Sequence, residues 1–299
     1  MHLSPLVLFV YNRPEHTRQT VEALKNNYLA QASSLIIFSD AAKDEDDKIK
    51  VNEVRRYLKT IGGFKNIKIK ERDKNYGLAK SIISGVTEIV NNYGKIIVLE
   101  DDLITSPYFL KYMNDALDFY KDNQAVISIS GYAYPVKTEL PETFFLKGAD
   151  CWGWATWKRG WDLFETNGKK LLGEIVNKKL SREFDYDNAY PYTKMLKDQI
   201  GGRVDSWAIR WHASAFVKNK LTLYPGKSLV KNIGFDSSGT HCSGSTKYDT
   251  AISKNPIIVK SMPAAQNKSA VNALKKYFNS FKPNLIKRLY IKFRQTIWR

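Results

Sequence analysis

The sequence predicts an α/β fold, with a mostly parallel sheet and helices on both faces. Short, continuous apolar runs alternate with amphipathic helical segments along the first 130 residues. Such runs are typical of strands that are buried on both faces, and strand–helix–strand units form right-handed crossovers. With 299 residues, of which 43% are hydrophobic and 26% charged, the chain can bury a normal core without disulfides or a structural metal.

The first half is predicted to contain five strands and four helices in alternation. The first strand covers residues 6–11, and the helix after it opens at residues 12–15, where Pro14 suits the first turn. The later strands are predicted at residues 35–38, 67–70, 96–99 and 125–129, and the later helices at residues 44–61, 78–93 and 107–120. Ligands of such sheets bind beyond the carboxyl ends of the strands.

The second half is rich in Trp, Tyr and Gly and has weak periodicity. Helices are predicted at residues 166–179 and 205–218, and a loop rich in Gly and Ser at residues 234–246. We expect one domain over residues 1–265, with halves 1–130 and 131–265, and a separate tail over residues 266–299.

Charge is concentrated in that tail. The chain has 47 Lys and Arg against 30 Asp and Glu, and nine of the basic residues fall within residues 268–299, which contain no acid. Ile286, Tyr290, Phe293 and Ile297 recur at helical intervals between them, which predicts an amphipathic helix on an anionic membrane surface. The alternative is a helix that docks on the domain and exposes a basic face.

Composition also bears on the compartment. Two cysteines exclude a disulfide-rich scaffold and fit a reduced compartment. No apolar run approaches the ~18–20 residues that span a bilayer. The N-terminus carries no signal-peptide pattern. We expect a cytoplasmic protein that is peripherally associated with the inner face of the cell membrane.

Three consecutive carboxylates, Glu100, Asp101 and Asp102, end the fourth strand and are the sharpest chemical signal. Alternation along a strand predicts that Glu100 and Asp102 share one face while Asp101 takes the other. One or two carboxylates together with a diphosphate would complete the oxygen shell of Mn²⁺ or Mg²⁺. The alternatives are a cap for the helix near Pro107 and a solvated turn.

Several segments resemble GT-A glycosyltransferases, and their order is similar to that of the N-acetylglucosaminyltransferase I family. In chain order they are LVLFVYNRPEHT, FSD, NYGLAKSI, IIVLEDDL, ADCWGWATWKRGW, VDSWAIRW and NIGFDSSGTHC. The resemblance covers roughly residues 5–245. It implies a GT-A fold, in which residues 1–130 bind a nucleotide-sugar and residues 131–265 bind the acceptor.

The resemblance also implies roles for individual residues in the donor site. Asp102 would coordinate the metal, and Asp101 would contact the ribose or the waters of the metal. Arg13 would lie at the nucleotide base or the phosphates, although it could equally be a surface residue at a helix start. Asp40 would accept a hydrogen bond from the uracil ring, and its alternative is a helix or turn cap.

The remaining donor-site candidates each have a structural alternative. Asn75 and Lys80 would border the pocket, where Lys80 could offset phosphate charge or be an ordinary solvated lysine. Trp154, one of four tryptophans within ten residues, could contact a sugar face or pack in the core. His241 could bind the metal or the diphosphate, or do neither.

Inversion at the anomeric carbon needs a base that takes the proton of the acceptor hydroxyl. Asp205 is the candidate, and it could also be the N-cap of the helix that follows. Asp150 and Asp236 are held in reserve.

The predicted function is therefore a metal-dependent, inverting transfer of a sugar from a UDP-sugar donor to a saccharide acceptor. A lipid-linked glycan, as in O-antigen or capsule assembly, would explain the basic tail. One alternative is a sugar-phosphate nucleotidyltransferase, although the turn after the first strand lacks glycine. The other is a basic nucleic-acid-binding protein, although no nucleic-acid motif is present, and no nucleic-acid partner is expected.

Overall fold

The computed structural model describes residues 3–236 and 246–282. The strands are β1 (Leu6–Val10), β2 (Ser34–Ser39), β3 (Asn66–Glu71), β4 (Lys95–Glu100), β5 (Leu103–Thr105), β6 (Val126–Ser130), β7 (Thr143–Lys147), β8 (Trp154–Trp157), β9 (Leu221–Pro225) and β10 (Val230–Asn232). The helices are α1 (Pro14–Lys25), α2 (Glu45–Leu58), α3 (Leu78–Tyr93), α4 (Phe109–Phe119), α5 (Lys158–Trp161), α6 (Gly168–Asn177), α7 (Ser181–Phe184), α8 (Tyr192–Ile200), α9 (Trp207–Val217) and α10 (Lys268–Ser280).

Eight of these strands form one mixed sheet in the order β3-β2-β1-β4-β8-β6-β9-β7. The block from β3 to β4 is entirely parallel, as are β6 and β9, whereas β8 runs antiparallel between β4 and β6. A separate antiparallel pair joins β5 to β10 just beyond the carboxyl end of β4. The predicted α/β class is confirmed, and it is the class expected of a GT-A fold.

Two apolar layers cover the faces of the sheet. Alternate residues of β1 point to opposite faces, so Leu6 and Leu8 pack with α1, α2 and α4, while Val7 and Phe9 pack with α3 and α9. Every residue of β1 is buried. The continuous apolar run in the sequence follows from this double coverage.

The second half departs from the predicted elements. Its predicted helices are present in slightly shorter form as α6 and α9. Four strands, β7 to β10, and three further helices, α5, α7 and α8, were not predicted.

Helix α10 corrects the domain boundary that we expected at residues 265 and 266. Its buried face, formed by Ala270, Ala273, Leu274 and Phe278, packs with Phe144 of β7 and with nearby tyrosines. Residues 268–280 therefore belong to the domain rather than to a separate tail. The apolar stripe predicted from Ile286 onward lies outside the described residues.

Within residues 3–236 and 246–282, none of the helices has the length and apolar character needed to cross a membrane.

Candidate functional site

The acidic end of β4 is a turn that α1 holds in place. β4 ends at Glu100, and β5 begins at Leu103. The buried hydroxyl of Thr20 donates to the carbonyl oxygen of Asp101 (2.9 Å) and accepts from the backbone N–H of Leu103 (3.2 Å). Thr20 thereby fixes the turn that carries Asp101 and Asp102.

The guanidinium of Arg13 lies close to both of these carboxylates, beyond the carboxyl end of β1. Its Nη1 lies 3.0 Å from Oδ2 of Asp102 and 3.7 Å from Oδ1 of Asp101. Asp101 also accepts the backbone N–H of Tyr11 (3.2 Å). The expectation that Asp101 and Asp102 occupy opposite faces is therefore wrong, because the strand has ended and the turn directs both toward Arg13.

The carboxylates crowd one another. Burial, followed by the charges of Asp102 and Asp101, raises the pKa of Glu100 to about 8. Burial, followed by the charge of Asp102, raises the pKa of Asp101 to about 7, although Arg13 opposes this shift. Burial and the close approach of the carboxylates thus both disfavour their charged forms, and the Arg13 guanidinium offsets this only in part.

This arrangement fits a divalent cation that takes part of its shell from a ligand. No cluster of three or more His, Cys, Asp or Glu side chains suited to hold a metal occurs in the described ranges. Mg²⁺-type sites in nucleotide enzymes, however, use one or two carboxylates together with substrate phosphates and water. Asp101 and Asp102 provide such oxygen donors, and a cation would reduce the repulsion between their charges.

The segment after β10 packs directly on this cluster. The carbonyl oxygen of Gly234 accepts from Nη2 of Arg13 (3.3 Å). A Cβ at residue 234 would lie 2.2 Å from Oδ2 of Asp102, so a larger residue there would displace the Asp102 carboxylate. Two residues later, Oδ2 of Asp236 lies 3.1 Å from Nε2 of His16 on α1. We name Arg13, Asp101, Asp102 and Gly234 the acidic cluster.

Asp40 and Asn75 meet at the carboxyl end of β2. The buried carboxylate of Asp40 accepts the backbone N–H groups of Tyr76 (2.9 Å) and Gly77 (3.0 Å) at the start of α3. Nδ2 of Asn75 donates to the carbonyl oxygen of Ala41 (2.7 Å). Asp40 thus holds the loop before α3 against the end of β2, and its contact with uracil stays a prediction.

Lys80 is exposed on α3 and lies against an aromatic ring. Its Nζ is 4.6 Å from the ring centroid of Tyr76, and the guanidinium of Arg72 is 4.0 Å from the same centroid. Both cations therefore lie near the ring of Tyr76, whose backbone N–H binds Asp40. No contact of Lys80 with the acidic cluster is present among the described residues.

Trp154 is not a sugar-contacting residue, and that expectation is wrong. Its side chain is 1% exposed and packs against Trp161, Trp207 and Trp211, with ring centroids 5.4–5.8 Å away. It lies in β8 at the centre of the sheet, opposite Val98 of β4. The tryptophan beside the acidic cluster is Trp152, which is half-buried and contacts Phe235 (5.6 Å between ring centroids).

Asp205 lies at the entrance to α9 but does not cap it. The N-cap is Ser206, whose Oγ accepts the backbone N–H of Ile209 (3.3 Å). The capping role considered for Asp205 is therefore wrong. Its carboxylate is 71% exposed and lies 3.8 Å from Nη2 of Arg210.

The carboxylate of Asp150 already accepts hydrogen bonds from several groups of the protein. It accepts the backbone N–H of Cys151 (2.7 Å) and that of Trp152, together with the hydroxyls of Tyr134 and Tyr224. These bonds only partly offset burial, which raises its pKa to about 6. Four hydrogen bonds use the acceptor capacity of a carboxylate. Asp150 thus orders the chain before Trp152.

Arg13, Asp101 and Asp102 lie together in the acidic cluster. Asp40 and Asn75 lie near each other at a second place, and Lys80 and Asp205 each lie apart from the acidic cluster. His241 lies outside the described residues. Thr20 and Gly234 belong to this site but were not among the residues predicted from the sequence. Nothing distinguishes Thr20 from other helical threonines in the sequence, whereas Gly234 falls within the segment NIGFD that carried the resemblance.

A family model described as glycosyl transferase family 2 matches residues 6–172, which is more than half of the chain. No curated protein matches the sequence. Solved structures that match include TarS of S. aureus (14% identity, TM-score 0.31, 48% of this chain and 24% of that chain). A TarS fragment, residues 1–349, matches with 11% identity, a TM-score of 0.39 and coverage of 76% and 59%.

A third matching structure is a mannosyltransferase from Pyrobaculum calidifontis in complex with GDP-Man and Mn²⁺. It has 11% identity, a TM-score of 0.38 and coverage of 73% of this chain and 70% of that chain. The match to full TarS spans about a quarter of that protein's length.

Proposed function

Because the chain belongs to glycosyl transferase family 2, we propose that it is a metal-dependent, inverting enzyme that moves a sugar from a UDP-sugar to a saccharide acceptor. The observation that carries the proposal is the acidic cluster. Two carboxylates end a buried strand there and share one guanidinium, at the sheet edge where α/β folds bind their ligands.

Asp102, assisted by Asp101, would hold Mn²⁺ or Mg²⁺. The bound metal would neutralise charge on the diphosphate leaving group. Arg13 lies within ion-pair distance of both carboxylates, so its guanidinium is also close enough to meet a phosphate oxygen there. Guanidinium groups recognise phosphates in a bidentate manner.

Asp205 would act as the general base. Its carboxylate takes the proton of the acceptor hydroxyl, and the hydroxyl oxygen bonds to the anomeric carbon on the face opposite the diphosphate. The bond from that carbon to the diphosphate oxygen then breaks, its electron pair leaves with UDP, and the configuration inverts. The 71% exposure of Asp205 and its freedom from capping leave the carboxylate accessible to an acceptor.

The acceptor proposal includes a lipid-linked glycan at the inner face of the cell membrane. It is supported by the charge of the C-terminal sequence, since residues 283–299 contain five Lys or Arg and no acid, interleaved with aromatic and aliphatic residues. Such segments bind anionic lipid surfaces through charge and apolar insertion.

A donor screen tests the proposal. The purified chain is incubated with UDP-, GDP- and CMP-sugars and Mn²⁺, and released nucleotide is measured with and without a mixture of saccharide acceptors. Release of UDP that needs the metal and increases with an acceptor is the expected result. Release from GDP- or CMP-sugars alone would contradict the UDP assignment, and no release from any donor would contradict the transfer itself.

A further inference from the structure

Three aromatic side chains form a patch beside the acidic cluster. Trp152 meets Phe235 and Tyr248 edge-on, with ring centroids 5.6 and 5.5 Å apart, and Phe235 and Tyr248 are 5.6 Å from each other. We name these three residues the aromatic platform. They come from chain segments before β8 and after β10, so the fold rather than the local sequence assembles them.

The side chains of the aromatic platform are partly exposed, whereas the other tryptophans of the described residues are buried. Each of its three side chains is half-buried. The other tryptophans in the described residues are all at most 6% exposed; they are Trp154, Trp157, Trp161, Trp207 and Trp211. Trp152 is thus the indole of the described chain that can offer a ring to a ligand.

The platform is also held firmly from behind. The hydroxyl of Tyr132 donates to the carbonyl oxygen of Tyr248 (3.0 Å), and the hydroxyls of Tyr190 and Tyr248 bond to each other (3.2 Å). From α10, the hydroxyl of Tyr277 donates to the carbonyl oxygen of Lys247. A site fixed in this way loses little conformational entropy on binding.

Its position in the sheet indicates which ligand it meets. The nucleotide of a donor would lie over β1 and β2, and its diphosphate at the end of β4 beside Asp102. β8 is the next strand in the sheet order, and Trp152 lies two residues before its first residue. Phe235 follows Gly234, which packs on Asp102. A ligand that continues from the diphosphate toward β8 therefore reaches the platform.

We infer that Trp152, Phe235 and Tyr248 form the subsite that binds the acceptor saccharide. Pyranose rings present apolar C–H faces that pack on aromatic rings, and the hydroxyl of Tyr248 adds a hydrogen-bonding group to the platform. Asp150 is a positioning residue, because it binds the backbone N–H groups of Cys151 and Trp152. This inference rests on the proposed function and names where its acceptor binds.

The test compares Trp152→Ala with two other variants. Tyr93→Ala removes an aromatic ring that is 56% exposed at the end of α3 and serves as the matched control. Trp152→Phe keeps a ring at the platform. Saturation-transfer NMR measures binding of methyl β-glucoside, methyl β-galactoside and methyl β-N-acetylglucosaminide in the presence of UDP and Mn²⁺, and calorimetry measures affinity for UDP and for the UDP-sugar that the donor screen selects.

We expect at least one glycoside to bind the wild type and Tyr93→Ala equally. Trp152→Ala should weaken that binding about tenfold, which corresponds to about 1.4 kcal/mol, because it removes the aromatic face on which the sugar packs, and Trp152→Phe should restore part of it. Affinity for UDP and UDP-sugar should stay within about twofold.

Three outcomes would overturn the inference. One is equal glycoside binding in the wild type and Trp152→Ala, and another is no glycoside binding to the wild type. The third is a loss of UDP-sugar affinity with UDP affinity unchanged, which would make the platform a donor-sugar site. None of these is the failure of the proposed function, which is the absence of nucleotide release in the donor screen.

Discussion

Trp152 and Trp154 stand two residues apart and have opposite environments. Trp154 fills the core between the sheet, α3 and α9, whereas Trp152 is half-buried at the surface. Trp154→Ala should therefore cost about 3–5 kcal/mol of unfolding free energy, because it leaves a large cavity. Urea unfolding should show a loss for Trp152→Ala that is smaller by about 2 kcal/mol or more; equal losses would contradict the assignment of Trp154 to the core.

His212 makes stability depend on pH. Burial lowers its pKa from 6.5 to about 4, although its Nδ1 bonds to the carbonyl oxygen of Ala149 (2.9 Å). The unfolded chain then binds a proton that the folded chain does not, so stability falls as pH drops from 6.5 toward 4. The contribution lost is about 3 kcal/mol.

The matched measurement for His212 is urea unfolding of the wild type and His212→Gln at pH 7 and pH 4. Buried acids such as Asp150 titrate in both proteins, so only the difference between the two curves reports on His212. We expect the wild type to lose more stability than the variant on acidification. Parallel losses would show that His212 is not the group responsible.

Asp205 and Ser206 are adjacent, and substituting each in turn distinguishes loss of the proposed base from loss of the helix N-cap. Asp205→Asn should lower turnover by ~10²-fold, the usual effect of losing an acid–base group, without changing the melting temperature. Ser206→Ala removes the N-cap and should cost about 1 kcal/mol of stability. Steady-state kinetics and thermal melts of both variants provide the check; a fully active Asp205→Asn would redirect the search for the base.

The basic charge of helix α10 led to a wrong prediction of where it lies. Its Lys residues suggested a detached basic tail, yet Leu274 and Phe278 are buried against the domain. Removing residues 268–299 should thus destabilise the protein, since each of these side chains contributes about 1.5–3 kcal/mol by burial. The matched comparison removes only residues 283–299 and keeps Leu274 and Phe278, and thermal melts of the two truncated chains measure the difference.

The shorter truncation also tests membrane association. Five basic residues at positions 283–299 should bind vesicles of anionic lipid, and rising salt should weaken the binding by screening. Co-sedimentation with anionic and zwitterionic vesicles is the measurement. If the full chain and the chain lacking 283–299 sediment equally with anionic vesicles, the segment is not the anchor.

The strands that helices cover on both faces could be predicted from the sequence. β1, β2 and β4 are covered by helices on both faces, so their apolar runs were visible in the sequence. β7, β8 and β9 pair in a mixture of directions across long sequence separations, which local periodicity does not encode. Because the register of β8 was unknown, the sequence could not tell which tryptophan of residues 152–161 would reach the surface.

The sequence predicted part of the candidate site, and the rest depends on contacts across the whole molecule. Strand ends brought Arg13, Asp101 and Asp102 together as expected for a parallel sheet. The turn that directs Asp101 and Asp102 to the same guanidinium depends on Thr20 of α1, and the platform depends on segments more than 80 residues apart. Such contacts arise only from the folded chain.

We propose that sugar transfer by this protein depends on a divalent metal that the acidic cluster binds. Asp102→Asn keeps the size of the side chain and removes its charge, and Asp118→Asn is a control on the exposed face of α4. Metal stabilisation of a leaving group contributes several kcal/mol, so loss of the ligand should slow transfer by about 10²-fold or more.

The most direct measurement is UDP release from the donor, with acceptor present, by the wild type, Asp102→Asn and Asp118→Asn across a Mn²⁺ titration that begins in EDTA. We predict that the wild type and Asp118→Asn are inactive in EDTA and activated by Mn²⁺, while Asp102→Asn stays at least about 10²-fold slower throughout and melts as a folded protein. Full wild-type activity in EDTA, or an Asp102→Asn variant with normal activity, would contradict the account.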